Sequence, residues 1–264
     1  MNKNQFGKVS KLFIRAVTRN GTTMLEDLSF TAPYKVMNPF QQEDGRIQVM
    51  LLAASAGIME GDRQEFEFQV EKGADLEFVS QSYDKIHKMQ TGCAKRNTNV
   101  VVQSGSKFRF NPQPTIPFQS SAFENQMKIQ LEDDKAQFFM NEILSCGRAA
   151  SGEQFLYRYY YNYVEIYRAG QLIYRDNTKY EPKFWNMTGL GMYESYTHLA
   201  NLFFTKRDSS IQDAVWELLE QDSEIEGGIT KLASGDYTVR ILGRRAQKLE
   251  QVSRQIMERW NSFV

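Results

Sequence analysis

Side chains that could bind a metal ion or act as acids and bases are scarce in this sequence, apart from carboxylates. The histidines are His87 and His198, and the two cysteines, Cys93 and Cys146, are not spaced as a metal-binding CxxC pair. A histidine-rich metal site or a relay of several imidazoles cannot be built from so few groups within one chain. We therefore interpret each histidine as a polar packing residue, and the low cysteine content fits a reducing compartment.

Carboxylates are the abundant chemical group, since Asp and Glu together number 32. Two carboxylates at a suitable separation are sufficient for glycoside hydrolysis, so a β-solenoid polysaccharide hydrolase or lyase is one hypothesis. The sequence contains no GxSxG, HExxH, GxxxxGK[ST] or GxGxxG motif. We therefore expect neither an NTPase nor a dehydrogenase.

The overall charge argues against nucleic-acid and membrane partners. Lys and Arg together number 32, which balances the acidic residues and leaves a formal net charge of zero. The longest apolar run, residues 49–56, is about half as long as a membrane-spanning helix. Basic residues interrupt residues 1–17, which lack an apolar stretch of signal-peptide length. We expect a cytoplasmic protein that binds neither nucleic acid nor membrane and that is stabilised by protein partners.

The elements that must position any site are mostly β-strands in the first two-thirds of the chain. Phe66, Phe68 and Val70 alternate with polar residues, and a turn at residues 71–74 leads to a second short apolar alternation. The same strand-turn-strand plan recurs around residues 103–106, 132–135 and 168–170. This spacing favours a stacked or helical-solenoid-like β-sheet architecture, similar to a β-helix, and an ordinary β-sandwich of hairpins is the alternative.

The pattern becomes helical after about residue 205. Ser210 and Asp213 form a weak capping box before one predicted helix. A second helix carries apolar residues three or four positions apart: Ala246, Leu249, Val252, Ile256, Trp260 and Phe263. We predict that this stripe packs on the β core, with docking of a helical partner as the alternative. Because no Pro- or Ser-rich linker is present, we predict one domain over residues 1–264, with a β-rich body (1–205) and a helix-containing part (206–264).

Several local strings are more unusual than a series of strands requires. They are PYKVMNPF (33–40), GIMEGD (57–62), SQSYDKI (80–86), PQPTIPF (112–118) and GRAASGE (147–153). In this order and spacing they resemble the motif series of the UreD/UreH family of urease accessory proteins, and the resemblance continues through residues 172–176, 191–198 and 237–243. It covers nearly the whole chain. One departure is Ala56, where many family members have glycine, and alanine resists a positive φ in that turn.

The resemblance implies a scaffold that is not an enzyme: a mostly β, solenoid-like domain with two helices in its C-terminal region. Proteins of this family act with a UreF-like accessory protein and a UreG-like GTPase on the urease apoprotein while nickel is delivered to the urease active site. No intrinsic cofactor is implied, and nickel would be in transit. The lack of a P-loop in this chain agrees with a separate GTPase.

The resemblance also implies an acid-lined nickel passage, with Asp62, Glu142 and Asp176 in its wall. Ni²⁺ prefers imidazole and thiolate ligands, so hydrated carboxylates would attract the ion and still allow fast exchange. The alternative is a purely structural adaptor, in which Asp62 caps a turn and the other two acids form ordinary ion pairs on strand edges. The residues expected to support these acids or to face a partner are Asp84, Lys85, Arg148, Glu153 and His198.

Two surfaces are candidates for protein contacts. Tyr157, Tyr159, Tyr161 and Tyr163 recur with the period of a strand and are predicted to share one face, and tyrosine is a typical interface residue. Packing within the sheet is the alternative. The apolar stripe of the last helix is the second candidate for the UreF-like contact.

Overall fold

The computed structural model describes residues 9–42, 45–206 and 208–262, and β-strands dominate it. In chain order, the strands are β1 (Val9–Arg19), β2 (Thr22–Phe30), β3 (Tyr34–Val36), β4 (Phe40–Gln41), β5 (Ile47–Ala53), β6 (Arg63–Val70), β7 (Asp75–Ser80), β8 (Asp84–Ile86), β9 (Ala94–Val102), β10 (Lys107–Phe110), β11 (Thr115–Pro117), β12 (Ala122–Leu131), β13 (Gln137–Ser145), β14 (Tyr159–Arg168), β15 (Gln171–Tyr180), β16 (His198–Phe204), β17 (Ile225–Lys231) and β18 (Tyr237–Gly243). The α-helices are α1 (Ser210–Glu220) and α2 (Ala246–Ser262). The prediction of a mostly β chain with two helices in its C-terminal region is confirmed. Within the described residues, no helix has the length and apolar character needed to cross a membrane.

The strands form two sheets. The seven-stranded sheet has the order β15-β14-β12-β9-β6-β1-β2, and the eleven-stranded sheet follows the path β17-β18-β16-β13-β10-β7-β5-β3, with β4, β8 and β11 attached to it. The turn at residues 71–74 carries the chain from β6 in one sheet to β7 in the other, and β9–β10 and β12–β13 repeat this step. Neighbouring strands of these repeats pair in parallel, which is incompatible with a sandwich built of hairpins.

The fourth predicted repeat differs from the other three. The turn at residues 168–170 closes an antiparallel hairpin of β14 and β15 within one sheet, so the expectation of four equivalent units is wrong. Neither sheet closes or coils, and the solenoid-like arrangement is not confirmed. The difference arises from strand pairing: among the described strands, β15 pairs with β14 alone and forms the edge of its sheet.

The first apolar core lies between the two sheets. Phe66, Phe68 and Val70 point inward from β6, as their alternation predicts, and meet aromatic side chains of the opposite sheet. The rings of Phe68 and Phe78 lie 4.9 Å apart in an edge-to-face arrangement, which favours association beyond the burial of apolar area alone.

A second core lies between the outer face of the eleven-stranded sheet and the two helices. Because helices cover this face, β13 is buried on both sides, and Phe139 packs against Trp260 with ring centroids 5.6 Å apart. The buried apolar stripe of α2 comprises Ala246, Leu249, Val252, Ile256 and Trp260. Packing on the β core is thus confirmed, and docking of a partner on this stripe is wrong because the stripe is already covered. Phe263 lies outside the described residues.

The start of α1 differs from the predicted capping box. Ser210 is the first residue of the helix, and its hydroxyl donates to the Asp208 carboxylate at 2.6 Å. One side of the helix is apolar and faces the core, where Ile211, Val215 and Leu219 are buried. The helix is therefore held by packing, which commonly outweighs its capping signals.

Candidate functional site

A layer of polar side chains crosses the interior at one end of the first core. Gln64, Arg96, Asn125 and Asn162 are cross-strand neighbours on β6, β9, β12 and β14, and all four are buried. Each occupies an inward-facing position of its strand, and the next position on the same face is also buried. Parallel in-register pairing places equivalent positions side by side, so one polar position in each repeat produces a continuous layer.

Glu142 reaches this layer from β13 in the opposite sheet. Its two carboxylate oxygens accept hydrogen bonds from the side-chain amides of Asn125 and Asn162, each at 3.1 Å. Glu142, Asp84 and Asp176 line one cavity of about 30 Å³, which we call the acidic chamber. The chamber has room for about one or two water molecules.

The chamber also presents an unpaired acceptor. The side-chain oxygen of Asn125 has no hydrogen-bond partner among the described residues, although the side chain is only 3% exposed and lines the chamber. Buried acceptors without a partner are costly, so this oxygen marks a place where water or a cation would be stabilised.

Asp176 lies on β15, the edge strand of the seven-stranded sheet, and is 6% exposed. It accepts a hydrogen bond from Thr178 and lies 3.7 Å from the Arg240 guanidinium. The alternative of an ion pair on a strand edge is therefore correct for Asp176. It is wrong for Glu142, because β13 is an internal strand and the hydrogen-bond partners of Glu142 are amides.

Asp84 lies between the acidic chamber and a larger cavity of about 560 Å³, the outer cavity, because it lines both. Its carboxylate accepts a hydrogen bond from the Arg96 guanidinium at 2.7 Å. Asp62 and Lys85 also line the outer cavity, so three of the predicted residues are brought together there.

Asp62 has a structural function as well as a position in the outer cavity. Its carboxylate accepts the Met59 backbone N–H at 2.7 Å, which caps the turn at residues 59–62 as the alternative interpretation predicted. Gly57 in the same string has φ +145°, a conformation that non-glycine residues rarely adopt. Ala56 does not adopt a positive φ, so its difference from the family pattern requires no different turn.

Arg148, Glu153 and His198 lie away from this site. Arg148 pairs with Glu153 and stacks over the Phe118 ring at 4.3 Å. The His198 ring shares a hydrogen bond with the Thr197 hydroxyl at 2.8 Å, and burial lowers the pKa of His198 to about 4. None of the three lines the acidic chamber or the outer cavity, so they do not pair with the passage acids, and the alternative that they face a partner stays a prediction.

The carboxyl group of Glu142 keeps its proton to a higher pH than an ordinary glutamate does. Burial raises the pKa of its carboxyl to about 7, and the neighbouring Asp176 carboxylate acts in the same direction. Hydrogen bonds from Asn162 and Asn125 and the charge of Arg96 oppose the increase in pKa without cancelling it. The acidic chamber therefore changes charge near neutral pH.

Stability is expected to fall as the pH rises through about 7, because the folded chain holds the Glu142 proton up to that pH whereas an unfolded chain releases it near 4.5. The stabilisation that this retained proton provides is complete below about pH 4.5. Above about pH 7 it is lost, which lowers the free energy of unfolding by on the order of 3 kcal/mol. Glu142→Gln keeps the shape of the protonated side chain and should remove this dependence. Urea unfolding at pH 5 and pH 8 should give similar stabilities for both proteins at the lower pH and a more stable variant at the higher pH; parallel profiles would contradict the assignment.

Arg96, Asn125, Asn162 and Arg240 belong to the site but were not predicted from the sequence. A signal was present for the first three, since each of their strands carries a polar residue within its alternating inward-facing positions. Arg240 carried no such signal, because it reaches Asp176 from β18, far along the chain. Within the described ranges, no three His, Cys, Asp or Glu side chains are grouped closely enough to hold a metal ion.

Comparison with known proteins assigns the chain to a family. The family model described as "UreD urease accessory protein" matches residues 9–264. This chain belongs to the UreD urease accessory protein family. The urease accessory protein UreD of Acetivibrio thermocellus is 38% identical over 257 residues, which cover 96% of this chain and 98% of that protein. The UreH proteins of Helicobacter pylori strains include one, from strain J99, that is 32% identical over 96% of this chain and 95% of its own length.

The UreD-family chain presents its tyrosines differently from the prediction. Tyr159, Tyr161 and Tyr163 share the outer face of β14 and are half-buried, whereas Tyr157 precedes the strand and is buried. The shared face thus holds three of the four predicted residues, and its contact with a partner stays a prediction.

Proposed function

We propose that this UreD-family protein is a non-enzymatic factor in urease maturation that works in the cytoplasm. It links a UreF-like protein and a UreG-like GTPase to the urease apoprotein, and Ni²⁺ passes through its interior. The observation that supports the passage is that Asp84 lines two adjacent cavities: the outer cavity, which Asp62 also lines, and the acidic chamber, which Glu142 and Asp176 line.

The far side of the passage lies at Asp176. Tyr180 borders the acidic chamber and also a third cavity of about 320 Å³, which Arg240 lines as well. An ion that enters beside Asp62 would therefore meet Asp84, then Glu142 and Asp176, before it reaches this third cavity. The carboxylates are spread over successive cavities, and this spacing supports transfer from one to the next in preference to retention at one place.

The chemistry of the wall suits transit. Carboxylate and amide oxygens bind Ni²⁺ more weakly than imidazole or thiolate groups do, so exchange stays fast. The size of the acidic chamber requires the ion to release water there, and the carboxylates replace the lost hydration. A sugar ring does not fit in so small a chamber, which argues against use of these carboxylates for glycoside hydrolysis.

The test is maturation of urease in cells that express the urease gene cluster with and without this chain. We expect the affinity-tagged chain to co-purify with the UreF-like protein and apo-urease, and urease from cells without it to contain little nickel. Normal nickel content in its absence, or failure to bind either partner, would contradict the proposal. A sugar-degrading activity of the purified chain would favour the hydrolase hypothesis.

A further inference from the structure

A buried arginine forms part of the wall of the acidic chamber. Arg96 is 8% exposed and lines the chamber together with Asp84, Glu142 and Asp176. Its guanidinium has the same sign of charge as the ion that is proposed to pass. A positive charge at this point must therefore affect how strongly any cation is held.

Contacts on several sides hold the Arg96 guanidinium in place. It donates to Asp84 at 2.7 Å and to Gln64 at 2.8 Å. It also lies over the rings of Phe66 and Phe123, at 5.1 Å and 5.6 Å from their centroids. These hydrogen bonds and aromatic contacts restrict the side chain to one position, so Arg96 acts as a fixed positive charge.

We propose that Arg96 is a specificity-determining residue that sets the cation affinity of the acidic chamber, so that a divalent cation is attracted and then released. This inference rests on the proposed function. Without Arg96, three carboxylates and the unpaired Asn125 oxygen would face one small cavity with their negative charge poorly balanced. This excess of negative charge would lower the energy of a divalent cation in the chamber and slow its release.

The test is titration of the purified full-length chain with nickel chloride, followed by calorimetry at constant pH. Arg96→Gln is expected to bind Ni²⁺ at least about tenfold more tightly than the wild-type chain, because the opposing charge is gone. Arg96→Gln combined with Asp84→Asn should return the affinity toward the wild-type value, since the pair is again neutral. Unchanged or weaker binding by Arg96→Gln would overturn the inference.

A matched control separates this effect from loss of stability. Arg168 and Asp236 form another buried pair, with hydrogen bonds of 2.9 Å and 2.7 Å, six residues beyond Asn162 along β14. Arg168→Gln removes a buried arginine of the same kind but does not touch the chamber, so Ni²⁺ affinity should not change. An equal increase in affinity for Arg168→Gln would also overturn the inference.

A second variant keeps the test decisive if Arg96→Gln does not fold. Asp84→Asn retains the guanidinium and removes its countercharge, so binding of Ni²⁺ should weaken at least about tenfold. Unchanged or tighter binding would overturn the inference. These titrations use the isolated chain, so their result is independent of urease maturation. The Arg96 inference can be overturned while the wild-type chain still matures urease normally. It can also hold if the chain proves to have no part in maturation.

Discussion

Replacing Glu142 by glutamine and Asp176 by asparagine together is expected to leave the maturation complex assembled and to lower the nickel content of the matured urease at least about tenfold. Both carboxylates line the acidic chamber, which is smaller than the other two cavities on the proposed route. Removing their charge leaves the ion with only the Asp84 carboxylate, which is paired with Arg96, to compensate for the water that it releases there. The measurement is nickel per urease active site by mass spectrometry, with co-purification of the partners as the check on assembly.

A matched control neutralises two carboxylates that lie outside the acidic chamber. Glu65 and Glu67 are exposed on the outer face of β6, and replacing both by glutamine should leave nickel loading near the wild-type level. Asp62→Asn should have a smaller effect than the double chamber variant, because Asp62 lies in an open cavity where water screens its charge. Full nickel loading in a triple Asp62→Ala, Glu142→Ala, Asp176→Ala variant that still assembles would favour the adaptor without a passage.

Gly57→Ala is expected to destabilise the fold by about 3 kcal/mol or more. A Cβ atom at this position would overlap the Lys85 carbonyl oxygen and lie 2.9 Å from the His87 ring. The backbone also adopts φ +145°, so the added methyl group suffers both strain and steric overlap. Because Gly57 lines the outer cavity beside Asp62, nickel delivery should fall together with stability. Urea unfolding measures the first effect and urease nickel content the second.

Gly105→Ala provides the comparison for Gly57→Ala. Gly105 has φ +70°, and no neighbouring atom lies within 4 Å of the point that an alanine methyl group would occupy, so alanine there meets strain without overlap. The expected loss of stability is about 1 kcal/mol. Equal effects of the two substitutions would show that overlap at the outer cavity is unimportant.

Much of the framework follows from local patterns. The alternation of Phe66, Phe68 and Val70 predicts an inward face because side chains of a strand point to opposite sides. The spacing of Leu249, Val252 and Ile256 predicts the buried side of α2 because these positions recur on one side of a helix. Such patterns do not identify the neighbouring strand. The four turns look alike in the sequence, although three carry the chain from one sheet to the other and the fourth closes a hairpin within one sheet.

The candidate site depended on more than local pattern. Motif resemblance pointed to Asp62, Glu142 and Asp176, and cavities place Glu142 and Asp176 in one chamber and Asp62 in the next. Arg96 was overlooked because a single arginine in an alternating strand is ordinarily a solvent-exposed residue. Its importance emerges only when parallel pairing aligns it with Gln64 and Asn125.

By itself, the sequence determined the strand-rich body, the amphipathic helix at its end and the family to which the chain is related, because periodicity and motif order are local properties. Tertiary structure alone decided which polar residues share a cavity, that Arg240 meets Asp176, and that Arg148 and His198 do not. These contacts join residues far apart in the chain, and their energies depend on burial, which only the assembled sheets create.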